Sequence, residues 1–302
     1  MQQKSNSLKR LLNSKQWKTT RLLAFIYLFI VIVMLVVLIN LPNKYKAQGL
    51  YAPSQDLQSS SLSSLAGSLG GLAGLAGLNL DGNKRDNLQL ALEIVKSKQF
   101  IYTLISANSL ELKVFAAENW NIESNEIIIN PKLYNVKQNE WVRNVKFPKN
   151  KIPSSFELYR AFKKNLSISF DKKTKMVKIS YEHVSPHVAK EIVDLIVNSI
   201  NRDIQQREMK EAISSINLLN DVVITTKYAE MRSLLYELIQ EQTKRLLLTK
   251  TKEYYVLEPI DPPIVAEEKS SPKRGLILIV FTLFYGVCSL LILMFGNKKE
   301  DD

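Results

Sequence analysis

The sequence predicts an α+β domain held between two transmembrane helices. Three observations carry that reading. Two long uncharged apolar runs sit near the ends of the chain. A strictly alternating stretch, LSISFDKKTKMVKISYEH, lies in the middle. It is followed by an apolar stripe at helical spacing too long for an ordinary globular helix.

The first run extends from Leu22 to Asn43, with the core LLAFIYLFIVIVMLVVLI. It exceeds the apolar region of a signal peptide, and no small-residue cleavage site follows it. Residues 22–42 are expected to form a retained span. Before it lie Lys4, Lys9, Arg10, Lys15, Lys18 and Arg21 without an acid, which predicts a cytoplasmic N-terminal tail over 1–21. The second run, GLILIVFTLFYGVCSLLILMFG, fills residues 275–296. As a helix it rises about 33 Å, enough for a hydrocarbon core of about 30 Å. Two spans return the chain to the starting side, so residues 297–302 are a second cytoplasmic tail and residues 43–274 lie outside the membrane. Lys273 and Arg274 run against the charge rule, from which long preceding loops are largely exempt.

The net charge of +12 is carried partly by the N-terminal tail. The remaining mild excess on the outer domain reads as a solvated basic surface near anionic lipid. A domain on that side of the membrane has no use for nucleic acid. The single cysteine, Cys288, falls in the second span, so the outer domain has no disulfide to support it.

Along the outer domain, Tyr45, Ala47 and Tyr51 alternate and Pro53 stops them, which predicts a strand. Then comes LSSLAGSLGGLAGLAGLNLDG, with Gly67, Gly70, Gly71, Gly74, Gly77 and Gly82 among its leucines. Each glycine costs a helix about 1 kcal/mol relative to alanine, and the segment is too short to span. It reads as a Leu/Gly loop seated in an apolar crevice or as a contact for a lipid carrier or partner. A helix is predicted from Asp86 as N-cap through Leu88, Ala91, Leu92, Val95 and Phe100. Leu110 to Pro148 is irregular, with short strands and loops, and Phe156 to Lys164 is a short helix. In the alternating stretch, Leu166, Ile168 and Phe170 oppose Val177, Ile179 and Tyr181 across the turn DKKTK, which predicts a hairpin.

Ser185-Pro186 opens the long helix, expected over about 186–220 with the stripe Val188, Ile192, Leu195, Ile196, Ile200 and Ile204. The β-branched run Val222 to Thr226 is expected to break it. A return helix over about 227–250 carries Met231, Leu234, Leu235, Leu238 and Ile239, expected to serve as oligomer contacts as well as core. The segment YYVLEPI reads as a strand. Pro259, Pro262, Pro263 and Pro272 then make a stiff approach to the second span, in which Gly286 and Ser289 are small enough for a helix contact.

Four stretches, LGGLAGLAG with LALEIVKSKQF, ISFDKKTKMVKISYEHVSP, YAEMRSLLYELIQEQTKRLLL and PIDPPIVAEEKSSPKRGLILI, give the chain a resemblance. It resembles the Wzz-type O-antigen chain-length determinants, class 1 polysaccharide co-polymerases of Gram-negative inner membranes. The proline-rich approach ending SSPKR is the most specific of the four. The resemblance implies a membrane-proximal α/β base with a long protruding helix hairpin, assembled as a closed homo-oligomeric ring in inner membrane lipid. It implies a non-enzymatic regulator of O-antigen (lipopolysaccharide) chain length, partnered by a Wzy-type polymerase and an undecaprenyl-linked glycan. The proline-rich approach and the spans would touch the polymerase.

No catalytic constellation is visible, and no cofactor is called for. Some related co-polymerases carry a kinase after the second span, but no G-x-x-x-x-G-K-[ST] motif occurs in this sequence. His183 and His187 stand four apart with Pro186 between them and no accompanying ligand set, so a structural role is expected rather than a metal site. Glu157, Asp171, Glu182 and Glu191 form no evident acid/base pair, and Glu237, Glu241 and Lys244 read as a solvated or subunit-facing ion-pair row. Three alternatives remain: a length regulator of another surface polysaccharide such as capsule, a membrane adaptor of a transport system, and a glycan-active enzyme.

Overall fold

The structure, a computed structural model, describes residues 25–54 and 87–298, with the side chains of the last helix described as far as Ser289. The Leu/Gly stretch with Gly67, Gly70, Gly71, Gly74 and Gly77, the cap Asp86, the expected tail 1–21 and residues 299–302 of the other lie outside the described residues. The chain divides into two compact units, residues 45–268 and the two flanking segments together. In order, the elements are α1 (25–40), β1 (Lys44–Pro53), α2 (Asn87–Lys96), α3 (Lys98–Ala107), α4 (Glu111–Phe115), β2 (Ala117–Asn121), β3 (Glu126–Ile129), β4 (Tyr134–Asn135) and β5 (Glu140–Trp141). They continue with α5 (Ser155–Asn165), β6 (Leu166–Phe170), β7 (Val177–His183), α6 (Pro186–Thr225), α7 (Ala229–Thr251), β8 (Leu257–Asp261), β9 (Lys269–Ser271) and α8 (Arg274–Lys298).

The central unit is α+β. Its sheet runs β6-β7-β1-β8 with antiparallel neighbours. The alternation in the sequence sets the register. Ile168 faces Ile179 and Phe170 faces Val177 across the expected hairpin, and Ala47 faces Tyr181 on the other side of β7. Pro259 sits on β8 at the edge of this order, opposite Tyr51, where a missing N–H does least harm. Val177, Ile179 and Tyr181 are fully buried. With Ala47 and Tyr51 they form the floor on which α2, α3, α5 and the first half of α6 pack. Tyr181 meets the Phe162 ring of α5 at 4.9 Å between centroids.

Two expectations are corrected. The helix expected from Asp86 through Phe100 is two helices, α2 and α3. They part at Ser97, whose extended backbone and side-chain oxygen cap α3 by accepting from the Phe100 N–H at 3.2 Å. Serine competes for backbone groups in this way and favours caps over interiors. The long helix also does not stop at Val222: α6 spans 40 residues to Thr225, about 60 Å at 1.5 Å per residue. A β-branched residue costs a helix only a few tenths of a kcal/mol. Thr225 and Thr226 also turn their hydroxyls back onto the Val222 carbonyl, at 3.0 and 2.7 Å. The break comes at Thr226, where the backbone becomes extended.

In the flanking unit, α1 and α8 touch through a tyrosine pair. The Tyr27 and Tyr285 rings are 4.8 Å apart, and the Tyr27 hydroxyl is 3.0 Å from Thr282 Oγ1. Arg274, which the sequence places against the charge rule, donates to the Leu41 carbonyl at 3.0 Å and to Asn43 Oδ1 at 3.1 Å. It thereby satisfies a carbonyl where α1 ends. Among the described residues no helix is long and apolar enough to cross a membrane.

Candidate functional site

The feature that sets this fold apart from a plain α+β domain is the hairpin of α6 and the 23-residue α7. Its root is in the core. Val188, Ile192, Ile196, Ile200 and Ile204 are buried, as the stripe required. Beyond Ile204 the burial fades: Ile216 and Leu219 are half-buried and Ile213 is exposed. From there the helix depends on α7 alone.

Polar groups hold the return. Asn201 is buried on α6, and its side-chain amide reads the backbone of the segment entering β8. Its Oδ1 accepts from the Val256 N–H at 2.7 Å and the Leu257 N–H at 2.9 Å, and its Nδ2 donates to the Leu257 carbonyl at 2.9 Å. One turn on, Gln205 Nε2 donates to the carbonyls of Thr249 and Lys252, at 2.7 and 3.2 Å. Another turn on, Glu208 pairs with Arg245 of α7. Asn201, Gln205 and Glu208 recur at helical spacing on one face, so a polar row continues where the apolar stripe ends.

The residues expected as oligomer contacts divide. Leu235 is buried within the chain itself, Leu234, Leu238 and Ile239 are half-buried, and Met231 is exposed. Ile224 and Tyr228, at the turn of the hairpin, stand 81% and 79% exposed. Of the approach residues, Pro263 is buried, Pro259 and Pro272 half-buried and Pro262 exposed. Ser289 Oγ donates to the Gly286 carbonyl at 2.9 Å. Among the described residues, a methyl group on Gly286 would meet nothing within 4 Å.

One polar cluster escaped the sequence reading. Arg143, its side chain only 5% exposed, makes two bonds to Glu157, the shorter at 2.6 Å, and lies 4.8 Å over the Phe115 ring. Glu157 also closes a capping box with Ser154 at the start of α5. The Arg143 hydrogen bonds hold the Glu157 carboxyl below the usual carboxylate range, with the Ser154 N–H adding to this. The only sequence signal was Ser154-x-x-Glu157, a capping-box pattern. His183 is buried; its Nδ1 accepts from the Ser185 N–H at 3.0 Å, so its Nε2 carries the proton given to the Lys113 carbonyl at 2.7 Å. That is a structural histidine. His187 instead lies beside the Trp120 ring, at 6.1 Å between ring centres. Glu191 pairs with Lys113 at 2.8 Å, and Asp171 accepts from the Lys173 N–H in the hairpin turn at 2.8 Å.

No family model matches the chain, and no curated protein does. The chain is similar to solved structures of bacterial polysaccharide co-polymerases. One is a full-length bacterial polysaccharide co-polymerase, at 12% identity over 94% of this chain and 96% of that one, with a TM-score of 0.39. Another is a fragment of WzzB, a polysaccharide co-polymerase from Salmonella Typhimurium, at 12% identity over 76% of this chain and all of that one, with a TM-score of 0.31.

Proposed function

We propose that this protein regulates the chain length of O-antigen without catalysing its polymerisation, as an oligomeric co-polymerase of a Gram-negative inner membrane. The observation that carries the proposal is the α6–α7 hairpin, a long paired arm latched at its root to the sheet through Asn201. An arm fixed in this way is suited to assembly and to holding a partner. Three of the four resembling stretches fall on the β6–β7 hairpin, on α7 and on the approach through β8 to α8.

The protein would sit in the membrane twice, through residues 22–42 and 275–296, with both termini cytoplasmic and residues 43–274 periplasmic. The outward surfaces of α1 and α8 support this. Phe25, Phe29, Ile39, Leu283 and Phe284 are all exposed, and contiguous apolar surface on that scale marks a lipid or protein contact. Subunits would close into a ring around a Wzy-type polymerase carrying an undecaprenyl-linked glycan. Met231 and the half-buried Leu234, Leu238 and Ile239 would meet a neighbouring copy, and Pro262, Gly286 and Ser289 would face the polymerase.

The test is a gel of lipopolysaccharide from cells with and without this protein. The modal cluster of the ladder should collapse on deletion and return with the gene. An unchanged ladder overturns the O-antigen assignment, and a change confined to capsule length moves the same activity to another polysaccharide.

A further inference from the structure

We infer that the loop 146–152 is an anchor for anionic lipid, by which the central unit rests on a bilayer surface. Its sequence is Lys146-Phe147-Pro148-Lys149-Asn150-Lys151-Ile152, with three lysines and no acid. Phe147 is 97% exposed and Ile152 68% exposed. A single exposed apolar residue is ordinary. A fully presented phenylalanine and an isoleucine five residues apart, among three lysines, form the pattern that inserts rings and alkyl chains below phosphates while ammonium groups stay among them.

The loop is presented by a built support. Arg143 before it is buried against Glu157 at 2.6 Å, and Ser154 after it forms the capping box with the same carboxylate. Lys149 reaches Glu157 at 4.0 Å, and the Lys149 N–H bonds the Lys146 carbonyl at 3.1 Å. Both ends of the loop are therefore held beside one carboxylate, that of Glu157.

The support leads back to the start of the sheet. Phe115, under Arg143, closes α4, and the Lys113 carbonyl of that helix holds His183, which pairs with Tyr45 on β1. A polar glycan is a poorer occupant, because Phe147 and Ile152 offer it no hydrogen bond. The inference rests on the reading of residues 22–42 and 275–296 as spans.

The test uses the full chain carrying Cys288→Ser and one environment-sensitive fluorophore on an introduced cysteine, at Phe147→Cys or Ile152→Cys. Leu283→Cys reports on the span, and Thr226→Cys serves as a distant control. Each protein is reconstituted into nanodiscs of phosphatidylcholine with or without phosphatidylglycerol, and with brominated lipid as quencher. The expected result is a blue shift and quenching at 147 and 152 in phosphatidylglycerol discs. Both should fall to the phosphatidylcholine level when Lys146, Lys149 and Lys151 become Gln, while position 226 stays unquenched. Quenching at 283 with a water-like signal at 147 and 152 overturns the anchor alone. No quenching at 283 overturns the spans and the anchor together. A soluble polyuronate that shifts the 147 probe as strongly as anionic lipid assigns the loop to a glycan and also overturns the inference.

Discussion

Replacing Asn201 by alanine should loosen the root of the hairpin more than any other single polar change on α6. The substitution strands three backbone groups, the Val256 N–H, the Leu257 N–H and the Leu257 carbonyl, bonded now at 2.7, 2.9 and 2.9 Å. Val256 and Leu257 are fully buried, so little water can replace the amide. Each buried group left unpaired costs about 1–3 kcal/mol. Partial relaxation brings the total to about 3–5 kcal/mol, a large share of a typical domain stability of about 5–15 kcal/mol. Urea unfolding of the full chain in mild detergent, followed by tryptophan fluorescence, measures the loss. Amide exchange at 256 and 257 should quicken by at least about a hundredfold, since 1.4 kcal/mol corresponds to a factor of ten. Asn201→Leu separates polar satisfaction from volume, because it restores bulk but no hydrogen bond. If Asn201→Leu recovers most of the stability, or Asn201→Ala costs under about 1 kcal/mol, the latch argument is wrong.

Two further predictions concern the core below the hairpin. Glu157 has its carboxyl held low, chiefly by Arg143, so its contribution is present above the unfolded carboxylate value of about 4.3 and is lost as pH falls through the folded value. Arg143→Ala should cost about 3 kcal/mol at pH 7, and Glu157→Gln should flatten the stability curve below about pH 4; an unchanged acid profile by circular dichroism would count against the pair. On β1, a methyl group at Gly49 would come within 2.7 Å of Tyr51 Cζ, and the Tyr51 ring is buried and hemmed in. Gly49→Ala should therefore cost about 1–3 kcal/mol. Tyr51→Phe should cost nothing, because the Tyr51 hydroxyl has no hydrogen-bond partner among the described residues. Burial pushes the Tyr51 hydroxyl pKa up, so the same variant should also lessen the loss of stability as pH rises above about 10.

What was legible in the sequence had a short period and one dominant force. Burying every second residue of ISFDKKTKMVKISY forces a hairpin, and burying Val188, Ile192, Ile196, Ile200 and Ile204 forces one helix face onto it. Ser185-Pro186 announced where that helix starts because the cap and the fixed proline φ are local chemistry, and Ser185 Oγ does accept from the Val188 N–H. Boundaries set by balance were less legible. At Ser97 a cap outweighed a helical stripe running past it, and at Val222 the stripe's helix outlasted a weak β-branched penalty.

The polar fastenings were the least legible, for a different reason. Asn201 looks like any solvated residue on a long helix, and only its partners, 55 and 56 residues away, give it a role. Arg143 lies in an irregular stretch whose register nothing local fixes, so its pairing with Glu157 follows from the path of two hairpins. Yet those fastenings place the surfaces that the proposed function needs. The arm keeps its direction because Asn201, Gln205 and Glu208 hold its return. The loop at Phe147 keeps its exposure because Arg143 and Ser154 share one carboxylate. Apolar periodicity built the base, and a few buried polar groups aim what projects from it. Substitutions at those groups should therefore loosen the arm and the loop together with the base that holds them.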